Sequence, residues 1–172
     1  MSDKITALSD SVYVCRSGSA ADTQAISDYV RRFLGEHALA KGSAPSVAAA
    51  AKLLRSLCYT NKDRLLAGVI VAGWSAAEGG VVYEIPLGGS CVQQAFSIGG
   101  SGSSYIYGYV DSAFRPGMSR AECQALVKTA ISHAMARDGS SGGVIRLVTV
   151  EAAGVTREFV AGDALPFMLT KA

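Results

Sequence analysis

The order of elements along this chain predicts an α+β fold, a four-layer αββα sandwich. Three observations carry that expectation. At 172 residues the chain is about one domain long, 1–172. Apolar runs punctuated by glycine come in blocks, as strands do. Helical patterns come in pairs between those blocks, whereas a doubly wound sheet alternates single helices with single strands. Two helices on each side of a pair of stacked sheets would cover every apolar face.

The elements follow in order. SVYVC (11–15) alternates and is rich in β-formers, so it reads as a strand. It runs into RSGSAAD, where Ser19 and Asp22 have the spacing of a capping box. The helix after it, about 20–39, places Ile26, Val30, Phe33 and Leu34 on one side. KGSAPSV is the break, and Pro45 suits the first turn of a second helix carrying Val47, Ala50, Leu53, Leu54, Leu57 and Cys58. LLAGVIVAGWS, GGVVYEIPLGG and SCVQQAFSIGG predict a meander of three strands. In GSGSSYIYGYVDSAFRPGM, Tyr105, Tyr109, Val110 and Phe114 have helical spacing, and Pro116-Gly117 stops the helix. Ser119 and Glu122 form a second capping box. The helix they open is expected to bury Cys123, Leu126, Val127, Ala130, Ile131 and Ala134. The turn DGSSGG leads into the strand GVIRLVTVE, and Gly154 turns that into VTREFVA.

Composition narrows the function classes. Charged residues are 17%, against about 25% in an average soluble protein, and mean hydropathy is +0.27. Something should therefore cover part of the surface. The best apolar run, Leu65 to Trp74, is broken by Gly68 and Gly73 and is about half a membrane span. Neighbouring subunits are the expected cover, not a membrane. The net charge of +2 is spread in small groups, with no basic stripe for nucleic acid. Cys15, Cys58, Cys91 and Cys123 lie far apart with no CxxC pair, which predicts buried free thiols in a reducing compartment. His37 and His133 are too isolated for a metal cluster, so no metal is expected. The start, MSDKITALSDSV, has no signal-peptide core. GGSGSS and DGSSGG fit no phosphate-loop pattern, and the second precedes a strand rather than a helix.

Four blocks in series carry a resemblance: CRSGSAADTQ (15–24), AGVIVAGW (67–74), IGGSGSSYIYGYVD (98–111) and RDGSSGGVIRL (137–147). From about Ser2 to Val160 the chain resembles the β-type subunits of the eukaryotic 20S proteasome, most of all the catalytic β1 type with caspase-like specificity. The resemblance implies the N-terminal nucleophile hydrolase fold. It also implies a threonine endopeptidase that cleaves after acidic residues in an ATP-dependent degradation machine. There an N-terminal threonine hydroxyl attacks the peptide carbonyl, with its own amine as base. That amine suits the work because its unperturbed pKa is about 7.7–8.0.

By the same resemblance, Lys4 keeps the amine neutral and lowers the hydroxyl pKa. Ser101, Asp138 and Ser141 orient amine and hydroxyl, and Gly18 supplies the oxyanion N–H, a donor worth about 3–4 kcal/mol of barrier. Arg16 would lie at the bottom of the S1 pocket, where a fixed cation favours an acidic P1 side chain. Ser2, Thr6, Ala20 and Gln24 would line that pocket. Taken singly, Ser101 is a helix cap, Asp138 and Ser140-Ser141 are turn residues, and Lys4 and Arg16 are surface cations. Their co-occurrence raises them together.

The resemblance further implies a catalytic threonine at the head of a strand pair, roughly thirty residues ahead of the lysine block. Here Met1 stands at that block, so the first strand pair and the nucleophile are expected to be missing from a shortened form of a longer subunit. Ser2, exposed by methionine removal, is an acceptable nucleophile in type. It lies only about 7 Å from Lys4 along an extended strand, too constrained to serve. Strand edges left open by such a loss need covering. The partners implied are the other β subunits of a seven-membered ring, the α ring, and peptide or unfolded-protein substrates. No cofactor is implied, and the setting is cytoplasm and nucleus. A non-catalytic ring subunit is the alternative.

Overall fold

The computed structural model describes residues 3–168. Its class is the expected α+β, with antiparallel sheets and helices laid on them. The chain divides into two compact units, 3–100 with 150–155, and 101–149 with 156–168.

The first unit is a five-stranded sheet in sequence order: β1 (Ile5–Ser9), β2 (Val12–Gly18), β3 (Ala67–Ser75), β4 (Gly79–Ile85) and β5 (Val92–Gln94). β1 precedes the first strand expected, and β5 keeps only three residues of SCVQQAFSIGG. Every pair is antiparallel, with Thr6 opposite Val14 and Val14 opposite Val71. Paired residues share a face, so Leu8, Val12, Val14, Val69 and Val71 make one apolar surface under the helices α1 (Ala20–Lys41) and α2 (Val47–Thr60).

Both helices start at a serine. Ser19 Oγ accepts from Asp22 N at 3.2 Å, but the Asp22 carboxylate turns to the N–H of Leu66 at 3.0 Å, so only half of the expected box forms. α1 ends at Gly42, left-handed at φ 66°, whose N–H donates to Ala38 O. It buries Thr23, Ile26, Ser27, Val30 and Leu34, while Phe33 is exposed and stacks on His37. For α2 the cap is Ser46, which puts Pro45 ahead of the cap and not in the first turn. Glu78, from the β3–β4 turn, accepts from Val47 N at 3.1 Å and Ala48 N at 3.3 Å, an anion on the positive helix end.

The second unit opens with a 3-10 turn, Ser101–Tyr105, then α3 (Tyr107–Ala113), α4 (Arg120–Arg137) and most of the two-stranded sheet of β6 (Ile145–Glu151) and β7 (Gly154–Val160), whose tip, 150–155, is counted with the first unit. Ser119 and Glu122 make the full capping box expected. α4 is tied to the hairpin by Gln124 to Thr149 at 2.9 Å, Arg120 to Thr156 at 2.8 Å and Lys128 to Glu158 at 2.9 Å. Its buried row is Leu126, Ala130 and Ala134. Cys123, Val127 and Ile131, expected inside, are exposed, because that row is turned one position away from the packed one. The cysteines are free as expected, but only Cys58 is buried; Cys15 and Cys123 are exposed. Cys15 falls on the sheet face opposite Val12 and Val14, where strand alternation puts it.

Candidate active site

The predicted site residues fall into two clusters, one in each unit, and each is described on its own.

In the second unit, α4 ends at Asp138, whose own N–H caps Ala134 O. Its backbone is extended there, and the chain bends at once, with Ser141 N donating to Asp138 O at 3.0 Å. The carboxylate is buried, 9% exposed, and is the hub of the cluster. Asp138 Oδ2 accepts from Ser101 Oγ and from Ser141 Oγ, both at 2.6 Å, and Oδ1 accepts from Ser140 N at 3.1 Å. Lengths near 2.6 Å mark charge-assisted bonds. A hydroxyl whose proton is committed to a carboxylate keeps its lone pairs for an incoming N–H. Ser101 and Ser141 are thereby set as acceptors, the chemistry needed to orient an amine. Ser101 also begins the 3-10 turn, yet its hydroxyl serves Asp138 instead of capping that turn.

Gly102, which the sequence reading did not single out, lies beneath this hub. A side-chain carbon there would stand 2.8 Å from Ser141 Oγ, 3.0 Å from Ala134 Cβ and 3.3 Å from Asp138 Oδ2. Only glycine lets the 3-10 turn come this near. The signal was present in GSGS, as a glycine directly after the predicted serine.

In the first unit the anchor is Arg16, in β2. Its N–H donates to Lys4 O at 2.9 Å, so Lys4 sits just ahead of β1 on the neighbouring strand. Arg16 Nη2 donates to Asp3 O at 2.6 Å and Nη1 to Thr23 Oγ1 at 3.3 Å. Its Nε is buried and, among the described residues, has no partner. Thr23 is itself buried and donates to Ser19 O at 2.9 Å. Thr23 was missed, although it lies seven residues after Arg16 on the first turn of α1.

The same sheet face runs from apolar at Leu8, Val12 and Val14 to polar at Lys4, Thr6 and Arg16, by strand alternation. Lys4 is exposed and Thr6 half-buried. Ala20 and Gln24 are exposed one turn apart on α1, and Gln24 Nε2 donates to Asp28 Oδ1 at 3.1 Å. Gly18 has φ +95°, and a side chain there would collide with the carbonyl oxygen of Leu66. Ser2 lies outside the described residues.

The arrangement therefore offers a hydroxyl–carboxylate cluster with lone pairs that can accept an N–H, and a pinned guanidinium whose acceptors are neutral. No group of His, Cys, Asp and Glu able to hold a metal occurs among the described residues. Antiparallel sheets carrying helices and these clusters are consistent with an N-terminal nucleophile hydrolase. The family model described as proteasome subunit matches residues 1–150, and the chain belongs to that family, among its β subunits. It is 56% identical over 164 residues to proteasome subunit beta type-6 of Arabidopsis thaliana, covering 95% of this chain and 70% of that one. The beta type-6 subunit of Dictyostelium discoideum is 55% identical over 166 residues, 96% of this chain and 78% of its own. The probable beta type-1 subunit of Schizosaccharomyces pombe is 48% identical over 163 residues, 95% and 72%.

Proposed function

We propose that this β-type subunit of the 20S core lines a threonine-endopeptidase site that accepts acidic P1 side chains, the β1-type specificity. The observation that carries this reading is the Asp138 hub, with two serine hydroxyls 37 and 3 residues away both committed to one carboxylate oxygen. A turn that served only to connect α4 to β6 has no use for a hydroxyl brought from Ser101. Arg16 adds the specificity: neutral acceptors hold its Nη groups, which leaves the positive charge for an acidic ligand. Lys4 is assigned the lowering of the nucleophile's pKa, Gly18 the oxyanion, and Ser2, Thr6, Ala20 and Gln24 the pocket wall. Assembly with other β subunits and the α ring, in cytoplasm and nucleus, and peptide or unfolded-protein substrates belong to the same proposal.

A second reading, a ring subunit that supplies only contacts to its neighbours, is favoured by the comparisons. The names of the relatives state membership of the particle and no activity. The exposed Tyr105, Tyr107, Val127, Ile131 and Phe159 are what a subunit packed among others would present.

Turnover of fluorogenic peptides by assembled particles separates the two. Particles carrying Arg16→Glu are expected to lose cleavage after Glu or Asp and gain cleavage after Lys or Arg. An unchanged profile would leave the ring-subunit reading standing.

A further inference from the structure

We propose that residues 161–168, after β7, brace the Asp138–Gly143 turn, with Gly162 and Phe167 as positioning residues for the hydroxyl–carboxylate cluster; the role in turnover rests on the peptide-hydrolase reading above. Within the turn, Ser140 N, Ser141 N and Ser141 Oγ bond back to Asp138, which ties its first half. Gly139 and Gly142 have open space where a side chain would be, and glycine gives the backbone its widest freedom. Yet Ser141 must be held closely enough to keep a 2.6 Å bond to Asp138. Further constraint, on Gly142 and Gly143, comes from outside the turn.

Two contacts supply it. Gly162 lies flat on Gly143, so closely that a side-chain carbon at 162 would run into the Gly143 carbonyl oxygen. Gly143 is at φ +91°, a conformation that other residues rarely adopt, so both partners of this contact are glycine for a reason. A turn closed by Ala164 N to Ala161 O, 3.0 Å, presents Gly162 to it. Further on, the Phe167 ring rests 4.2 Å from the ring of His133 on α4, whose other neighbour is Tyr109 at 4.8 Å. The segment is thus pinned to the helix that ends in Asp138. Ser132 and Met135 of that helix, Gly142, Gly143 and Leu165 line a cavity of about 250 Å³ beneath it. Preorganising a site through a rigid supporting shell is a general requirement of catalysis.

The test uses assembled particles carrying Gly162→Ala or, as the milder second variant, Phe167→Leu. The amides of Ser140 and Ser141, which both donate to Asp138, should exchange hydrogen about tenfold faster in either variant, with amides inside α4 unchanged. kcat for the acidic-P1 peptide should fall about tenfold with KM unchanged. Unchanged exchange at both amides overturns the brace. Faster exchange with turnover lost only in Asp138→Asn overturns the positioning role. Faster exchange with turnover indifferent to Asp138→Asn as well keeps the brace and removes the hydrolase reading.

Discussion

The two candidate clusters hold their polar groups in opposite ways. Around Asp138, at a helix end, both carboxylate oxygens accept, and they do so from donors that come from a 3-10 turn and from the bend itself. Around Arg16 two donor nitrogens are pinned and a third is buried with nothing to give to among the described residues. A satisfied buried charge stabilises the local fold and fixes its neighbours. An unsatisfied one stabilises little, and persists where a ligand can complete it. The glycines show the same contrast. Gly18, beside Arg16, is compelled by its φ and by Leu66, whereas Gly139, beside Asp138, meets nothing. One cluster is rigid in its backbone and incomplete in its hydrogen bonds. The other is complete in its bonds and has room at Gly139 and Gly142.

The largest effect should come from breaking the rigid backbone. Gly18→Ala combines a left-handed conformation with a collision against backbone, and is expected to cost about 2–4 kcal/mol. Gly139→Ala should stay within about 0.5 kcal/mol. Thermal melting of the two variants checks this, and equal losses would erase the contrast.

Next come the polar groups themselves. Asp138→Ala removes the bonds from Ser101, Ser140 and Ser141 to a buried carboxylate and should destabilise by about 2–3 kcal/mol. Arg16→Met gives up two bonds and relieves an unsatisfied buried N–H, so its loss should be under about 1 kcal/mol. Denaturant unfolding would rank them, and on the reading proposed here Arg16→Met should still abolish the preference for acidic P1 residues. A costly Arg16→Met with peptide preference intact would make Arg16 a structural residue like any other.

The sequence pattern revealed the elements better than their faces. Helical spacing put Phe33, Cys123, Val127 and Ile131 inside, because apolar periodicity reports every stripe a helix could bury and packing uses only one. The box at Ser119 formed in full because both partners are local. The one at Ser19 lost its acid to Leu66, 44 residues along, a competition that no local spacing reveals. The same distance problem hides the bonds of the two clusters: Asp138 and Ser101 were named through the matching blocks, but Thr23 and Gly102, which lie in two of those blocks, were given no role, because what they touch, Arg16 and Asp138, is set by the fold and not by local spacing.

The smallest effect lies at the start of the helix that ends in Asp138, and sharpens the comparison by testing a satisfied carboxylate that is exposed. Glu122 Oε2 accepts from Ser119 N and Ser119 Oγ, each at 2.8 Å, and Oε1 pairs with Arg115. These hydrogen bonds, the backbone one first, hold its carboxyl below its ordinary 4.5. A carboxyl lowered in the folded state binds fewer protons there than in the unfolded chain. The stability it contributes is therefore present above pH 4.5 and is lost as pH falls through the lower folded value. Glu122→Gln keeps neutral hydrogen bonds but has no proton to gain. The gap in melting temperature between wild type and Glu122→Gln should be constant at neutral pH and close as the solution is acidified, with turnover at neutral pH unaffected. A gap that widened in acid would mean that the carboxylate at the head of α4 is not held by its box, and that satisfied carboxylates on this helix do not behave alike.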